Sequence, residues 1–263
     1  MAIRRSILSF AICLLGIVCN AKLQAQELVH LQTIEEFDSQ GRPVPIGKTN
    51  VDLLSFLEKS LSIKISVKRV PWKRAMDNAL HNDILLMGMS ITQERAKKYS
   101  FSDPINANGN WLITRCDASF KFNTLQDLKG KRIGIVIGTS AGEEFDKQIN
   151  VLFQIDNDSG AGISRLQKLL AKRTDAIIWY GVTTDVREMQ SVINQRFAEW
   201  DSVNSKLNPQ PFCVLPKPIS IVYNHFAMRT NEANKKLLAR INQAMAKGRK
   251  EGAIPSLRAT ILD

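Results

Sequence analysis

Strand-like and helix-like segments alternate along most of this chain, and that alternation constrains its fold more than any other feature. Ile63, Ile65 and Val67 alternate with Lys64, Ser66 and Lys68, the period of a strand with one buried face. Val51, Leu54, Leu57 and Leu61 recur at helical spacing, and Thr49 with Asp52 suggests a capping-box-like start. Further strands are expected over 28–33, 83–89, 132–137, 176–179 and 220–228. Further helices are expected after Pro71 and over 92–98, 142–149, 164–172 and 232–247. Such alternation predicts parallel or mixed sheets covered by helices.

Two stretches interrupt the pattern. One follows Asp103-Pro104 and is rich in Asn and Gly, from Asn106 to Asn110; the other carries Pro209, Pro211, Pro216 and Pro218. Both have the chemistry of loops, so the chain reads as two α/β lobes connected twice. With 263 residues, 44% of them apolar and 23% charged, it can bury a real core and is not a disordered or collagen-like chain. The formal net charge is +11, but no basic run is interleaved with aromatics. The charge therefore reads as a solvated surface, with no nucleic-acid partner.

The first 25 residues have the three-part layout of a secretory signal peptide. Arg4 and Arg5 precede an apolar stretch from Ser6 to Cys19, and Ala21 and Ala25 offer small residues for cleavage. The apolar run is about 14 residues, short of the roughly 20 a spanning helix needs. Removal of this leader would leave 33 basic and 25 acidic residues, a net charge of +8. An exported, periplasmic protein is expected. Cys116 and Cys213 remain, and an oxidising compartment permits a disulfide between them without requiring one.

Three segments could carry chemistry. In 87–95, which runs Met-Gly-Met-Ser-Ile-Thr-Gln-Glu-Arg, a buried strand ends and a helix begins. Thr92 can cap that helix, and Arg95 can grip a carboxylate with two parallel hydrogen bonds, with Ser90 beside it. Alone, these residues fit a surface arginine on a capped helix better. In 138–142, Gly-Thr-Ser-Ala-Gly follows a strand, and Ser140 with Glu143 could form a capping box. The same five residues match the G-x-S-x-G nucleophile elbow, which makes a Ser140 hydrolase with His225 the sharpest enzyme hypothesis, although no Gly-rich oxyanion segment precedes it. The third segment, 156–160, faintly echoes a calcium loop, but its twelfth position is Gln167 and a polar turn is expected. His30, His81 and His225 are isolated, so no metal site and no cofactor are expected.

Taken in order, Gly47 to Leu54, Pro71-Trp72, Ser90-Ile91-Thr92-x-x-Arg95, Phe101-Ser102-Asp103-Pro104, Leu125-x-x-Leu128-Lys129-Gly130-Lys131, Gly138-Thr139-Ser140 and Leu169-x-x-x-Arg173-x-Asp175-Ala176 resemble the bacterial extracellular solute-binding proteins of family 3, the polar amino acid type. The resemblance spans nearly all of the chain after the leader. It implies a two-lobe, type II periplasmic-binding fold: two mixed sheets flanked by helices and joined by a two-stranded hinge. Lobe I would comprise 26–107 plus 219–263, and lobe II 108–218. It also implies that Arg95 holds a ligand carboxylate, with Ser90, Thr139 and Ser140 hydrogen-bonding it, Gly88 in the same segment and Trp72 packing against the solute. Cys116 and Cys213 would both lie in lobe II near the hinge.

Two departures from the family pattern stand out. Amino-acid binders of this type usually carry an Asp, five residues after the one matching Asp175, that pairs with the ligand ammonium; here that position is Tyr180. The first loop, 34–46, lacks the usual aromatic-proline pattern. The expected function is non-catalytic capture of a small carboxylate-bearing solute by a monomer, serving an inner-membrane ABC permease or a sensor receptor. A cyclohexadienyl dehydratase-like lyase on the same scaffold is the alternative, with Glu35 or Glu36 as its only candidate acid.

Overall fold

In the computed structural model, which describes residues 26–38, 40–181, 183–200 and 210–257, nine strands form one hydrogen-bonded path. Their order is β3 (Ile63–Val70), β1 (Glu27–Ile34), β4 (Leu85–Ser90), β11 (Ser220–Arg229), β5 (Tyr99–Arg115), β9 (Ala176–Gly181), β6 (Arg132–Val136) and β7 (Gln154–Asp158), with β10 (Phe212–Val214) also on β5. The expected leader, residues 1–25, lies outside the described residues. At one end β3, β1 and β4 are mutually parallel; at the other β9, β6 and β7 are. Between them β5 and β11 run antiparallel to each other and to their outer neighbours. The result is two α/β lobes sharing a two-stranded hinge, the type II periplasmic-binding architecture.

The hinge is where the sequence reading needs its main correction. The Asn/Gly-rich stretch 106–110 is not a loop but the middle of a 17-residue strand. Asn106 to Asn110 pair with Ser220 to Asn224 of β11, while Gly109 to Thr114 pair with β9. Asn and Gly disfavour strands as isolated residues, but a partner on each side overrides that preference. Asn110 is fully buried and donates from Nδ2 to Ser220 Oγ at 2.9 Å.

Each lobe packs helices on both faces of its sheet. In the first, α1 (Lys48–Leu61) buries Leu53, Leu54 and Leu57 against Leu237, Leu238, Ile241 and Met245 of α7 (Glu232–Lys250). Helix α2 (Trp72–His81) buries Trp72, Ala75 and Ala79 on the opposite face. Helix α1 starts at Lys48 behind Gly47, and no side chain caps it, so Thr49 and Asp52 do not form the expected box; Asp52 pairs with Lys48 instead. In the second lobe, α5 (Ile163–Leu170) and α6 (Val186–Trp200) cover one face and α4 (Glu143–Lys147) the other. Helix α6 was not among the expected elements, although Met189, Ile193 and Phe197 recur every fourth residue and are buried. Gln190 on α6 clamps β10, donating to the Phe212 carbonyl and accepting from the Val214 amide. The polar 156–158 segment lies in edge strand β7, so the turn expected there is displaced to Ser159-Gly160. A disulfide joins Cys116, just after β5, to Cys213 in β10, with Cα atoms 4.9 Å apart.

A third element ties the lobes together besides the two hinge strands. Residues 35–38 and 40–44 lead from β1 to the second lobe. There β2 (Glu36–Phe37) pairs in parallel with β8 (Ala161–Gly162), and Val44 is buried in the second lobe's core beside Trp111, Ile163 and Leu166. Arg69 of the first lobe anchors this strap, donating to the carbonyls of Ile34 and Val44 and lying 3.7 Å from the Glu36 carboxylate.

Candidate functional site

Strand β4 delivers Gly88 and Ser90 to the seam between the lobes, and the short helix α3 (Gln93–Ala96) follows at once. Thr92 caps that helix by accepting from the Arg95 amide at 3.2 Å. The cap fixes Arg95 one turn after the strand end, so its side chain folds back over Ser90. Nη1 donates to the Ser90 carbonyl at 2.8 Å and to Ser90 Oγ at 2.7 Å, and Nη2 donates to the Gly138 carbonyl of the other lobe at 2.9 Å. Arg95 therefore sits in the crevice, not on an outer surface. Burial pulls its pKa down from the usual arginine range, opposed by Asp146 and Tyr180, but a guanidinium keeps its proton. Among the described residues no carboxylate lies within 4.0 Å of it.

The second lobe contributes the turn after β6. Gly138 has φ +82°, and a Cβ there would come within 2.7 Å of Met76 Cε on the first lobe. Met76 Cε is the movable end of a flexible side chain and Lys73 Cα lies 3.4 Å away, so it is the positive φ that favours glycine here. Thr139 donates to the Val136 carbonyl at 2.6 Å. Its one hydroxyl proton is thereby committed, so the 2.5 Å contact with Tyr180 Oη has tyrosine as the donor. Burial raises the Tyr180 pKa, which keeps the phenol neutral. Ser140 does not cap α4 with Glu143 as expected. It donates to Asp146 Oδ2 and accepts from the Gly142 amide, while Glu143 crosses to the first lobe and accepts from the Gln93 amide at 2.6 Å. Burial raises the Asp146 carboxyl pKa despite the hydrogen bonds from Ser140 and Ala141.

Trp72, Gly88, Ser90, Arg95, Thr139, Ser140 and Tyr180 all line one cavity of about 260 Å³ between the lobes. Gly88 has φ +98°, a conformation that favours glycine, and a Cβ there would meet nothing within 4 Å. Five further polar residues line the cavity that sequence reading did not single out: Thr33, Asn50, Asn106, Asn108 and Asn224. Asn106 and Asn108 lie two apart on β5, so they share a face, and Asn224 stands opposite Asn106 in register and donates to its side chain at 3.0 Å. The signal was present in the sequence as alternate asparagines, and it was hidden by reading the stretch as a loop. Asn108 Oδ1 is buried without a hydrogen-bond partner. Arg95 is the only charged side chain in this lining among the described residues. On its far side lies a second crevice, of about 330 Å³, bordered by Lys73, Asp77, Gly138 and Asp146.

The residues suggested for catalysis are not brought together. His225 is buried in the first lobe with Nδ1 2.7 Å from the Ser102 carbonyl, while the Ser140 hydroxyl is engaged by Asp146. Neither Glu35 nor Glu36 lines the cavity. Among the described residues no group of three His, Cys, Asp or Glu could hold a metal ion, and no helix is long and apolar enough to cross a membrane.

Residues 44–262 match the model of the bacterial extracellular solute-binding proteins, family 3. The chain belongs to that family. It is 25% identical over 245 residues to the L-cystine-binding protein TcyJ of Escherichia coli K12, covering 92% of this chain and 84% of that protein. It is also 23% identical over 247 residues to the cyclohexadienyl dehydratase of Pseudomonas aeruginosa, covering 86% and 84%. Among solved structures, a mutant of arginine-bound ArgBP from T. maritima superposes with a TM-score of 0.64 at 21% identity, covering 84% of this chain and 95% of that one. That likeness supports the fold alone. The family is one of extracellular solute-binding proteins, and the relatives include an L-cystine-binding protein and an ABC transporter arginine-binding protein of Escherichia coli.

Proposed function

We propose that this family 3 protein captures a small carboxylate-bearing solute in the periplasm by closing its lobes, as a monomer that serves an ABC-type permease or a sensor. The hinge would be the paired stretch of β5 and β11, with lobe I as 26–107 plus 219–263 and lobe II as 108–218. One observation carries the reading: Arg95, the one charged group in the cavity lining, reaches from the first lobe to bond the second. A carboxylate placed on its remaining N–H donors would gain charge-assisted hydrogen bonds in a site that only the closed arrangement completes. Ligand binding then favours closure because the open state lacks half of the contacts. Ser90, Thr139, Ser140, Gly88, Trp72 and Tyr180 would complete the binding set.

Catalysis is not part of this proposal. A lyase needs an acid or base at the substrate, and the cavity lining holds no carboxylate or imidazole among the described residues. Ser140 has no histidine partner to activate it. The test is a thermal-shift screen of the purified protein over amino acids, dicarboxylates and aromatic acids, followed by calorimetry on the hits. Stabilisation by a carboxylate ligand is expected. Turnover of prephenate or arogenate by the pure protein would overturn the non-catalytic reading.

A further inference from the structure

Resting on the reading of this cavity as the solute site, we infer that the solute is an organic anion whose second polar group is an uncharged O–H or N–H donor. A 2-hydroxy acid or an N-acylated amino acid fits that description; a zwitterionic amino acid does not. Three features lead there.

The first is charge balance at contact distance. A carboxylate on Arg95 neutralises the only charge in the lining among the described residues. An ammonium on the same molecule would add a buried positive charge, and no lining Asp or Glu among the described residues could pair with it. Asp146, which holds the lining Ser140, borders the other crevice, and both its oxygens are engaged, by the Ser140 hydroxyl and the Ala141 amide.

The second is the ground behind Tyr180. Where a carboxylate would be needed there is a phenol, and the fully buried guanidinium of Arg165 acts electrostatically on it. Arg165 donates from Nη2 to the carbonyls of Gly134 and Ile178, and its Nε has no hydrogen-bond partner. Asp158 lies 3.7 Å from that Nε but is also paired with Lys168 at 2.6 Å. That wall therefore offers a cation nothing to pair with.

The third is the polarity of the neutral groups. The proton of Tyr180 goes to Thr139 and that of Ser140 goes to Asp146, which leaves oxygen lone pairs at two lining residues. Asn108 Oδ1 is a third acceptor without a donor. The second lobe thus asks the solute for donors, and asks for them without charge.

The test uses matched triplets on the full mature protein. For alanine, leucine, aspartate, phenylalanine and arginine, the L-amino acid, its 2-hydroxy analogue and its N-acetyl derivative are titrated by calorimetry at pH 7, with L-cystine added as a further amino acid. In at least one triplet the hydroxy or acetyl member should bind ten-fold or more tightly than the amino acid, and Arg95→Ala should abolish that binding. Tyr180→Asp, checked for folding by circular dichroism, should move the preference back toward the amino acid. An amino acid that binds as well as or better than its neutral-donor partners, still dependent on Arg95, overturns this inference and leaves solute capture standing. No Arg95-dependent binding by any member overturns both.

Discussion

Arg95 Nη2 and the Gly138 carbonyl meet at 2.9 Å across the seam between the lobes, so the cation of one lobe bonds the backbone of the other. The same guanidinium holds Ser90 by both its carbonyl and its hydroxyl. Under the proposed function, ligand recognition and lobe contact would fall to one side chain, and substitutions there should affect both.

Arg95→Ala should remove ligand-dependent thermal stabilisation. Losing one partner of a buried, hydrogen-bonded charge pair costs about 2–5 kcal/mol, or roughly 30-fold or more in affinity. Arg95→Lys should recover only part of it, because an ammonium cannot offer two parallel donors to a carboxylate. Calorimetric Kd values for the two variants check this, and equal affinity in Arg95→Ala would remove the guanidinium from the site.

Gly138→Ala should weaken binding by opposing closure. The new methyl would displace the tip of the Met76 side chain from the seam, and the residue would be held at φ +82°. The strain is about 1–2 kcal/mol, from a side chain in a region L-residues avoid. Small-angle scattering at saturating ligand should report a larger radius of gyration than for the parent protein.

Reducing the disulfide, or replacing Cys116 and Cys213 by Ser, should lower stability without abolishing binding. The bridge spans 97 residues, and a loop of that size is worth about 4–5 kcal/mol in the chain-entropy account. The bridge lies at the β5–β10 end of the second lobe, and neither cysteine lines the cavity. Denaturant midpoints with and without reductant, measured beside ligand Kd, separate the two effects.

Acid should release the start of α7. The Asp83 carboxylate accepts from Arg229 Nε, Asn231 Nδ2 and Asn234 Nδ2, and these bonds, with the Arg229 bond leading, hold its pKa at about 2 against 3.8. A carboxyl with a lowered folded pKa contributes stability in full above its unfolded value and loses it as pH falls toward the folded one. Asp83→Asn should therefore lower the Tm at pH 7, and the gap from the parent should narrow between about pH 4 and pH 2. Its exposed position keeps the effect small.

The alternation of strands and helices was legible because buried faces impose periods of two and 3.6 on residues such as Ile63 and Ile65 or Leu53, Leu54 and Leu57, although Val67, expected on the same face as Ile65, is exposed. The cavity's cation was legible only through the family resemblance, since Thr92 and Arg95 at the spacing of a cap and its first turn also describe a surface arginine. The hinge was not. Asn106 to Asn110 have loop-like composition, and what makes them strand is pairing with residues more than 100 positions away. The hydroxyl orientations were equally hidden, because Thr139 and Tyr180 are 41 residues apart and the direction of their bond depends on the Val136 carbonyl. Helix α6 carried both its Met189, Ile193 and Phe197 stripe and its start signal in plain view, since Asp185 accepts from the Glu188 amide at 2.8 Å as a cap does.

The strap of residues 35–38 and 40–44 bears on how such a molecule can move. Two bodies joined along a single line swivel freely about it, as a door does on its hinge. Here β2 is zipped to β8, and Val44 is embedded in the far body, away from that line. A swing about β5 and β11 that parts the strap from the far body would expose Val44 to water and free two residues of ladder. Under the proposed capture, the time a solute stays inside would then depend on how often the latch unzips as well as on the solute's own contacts.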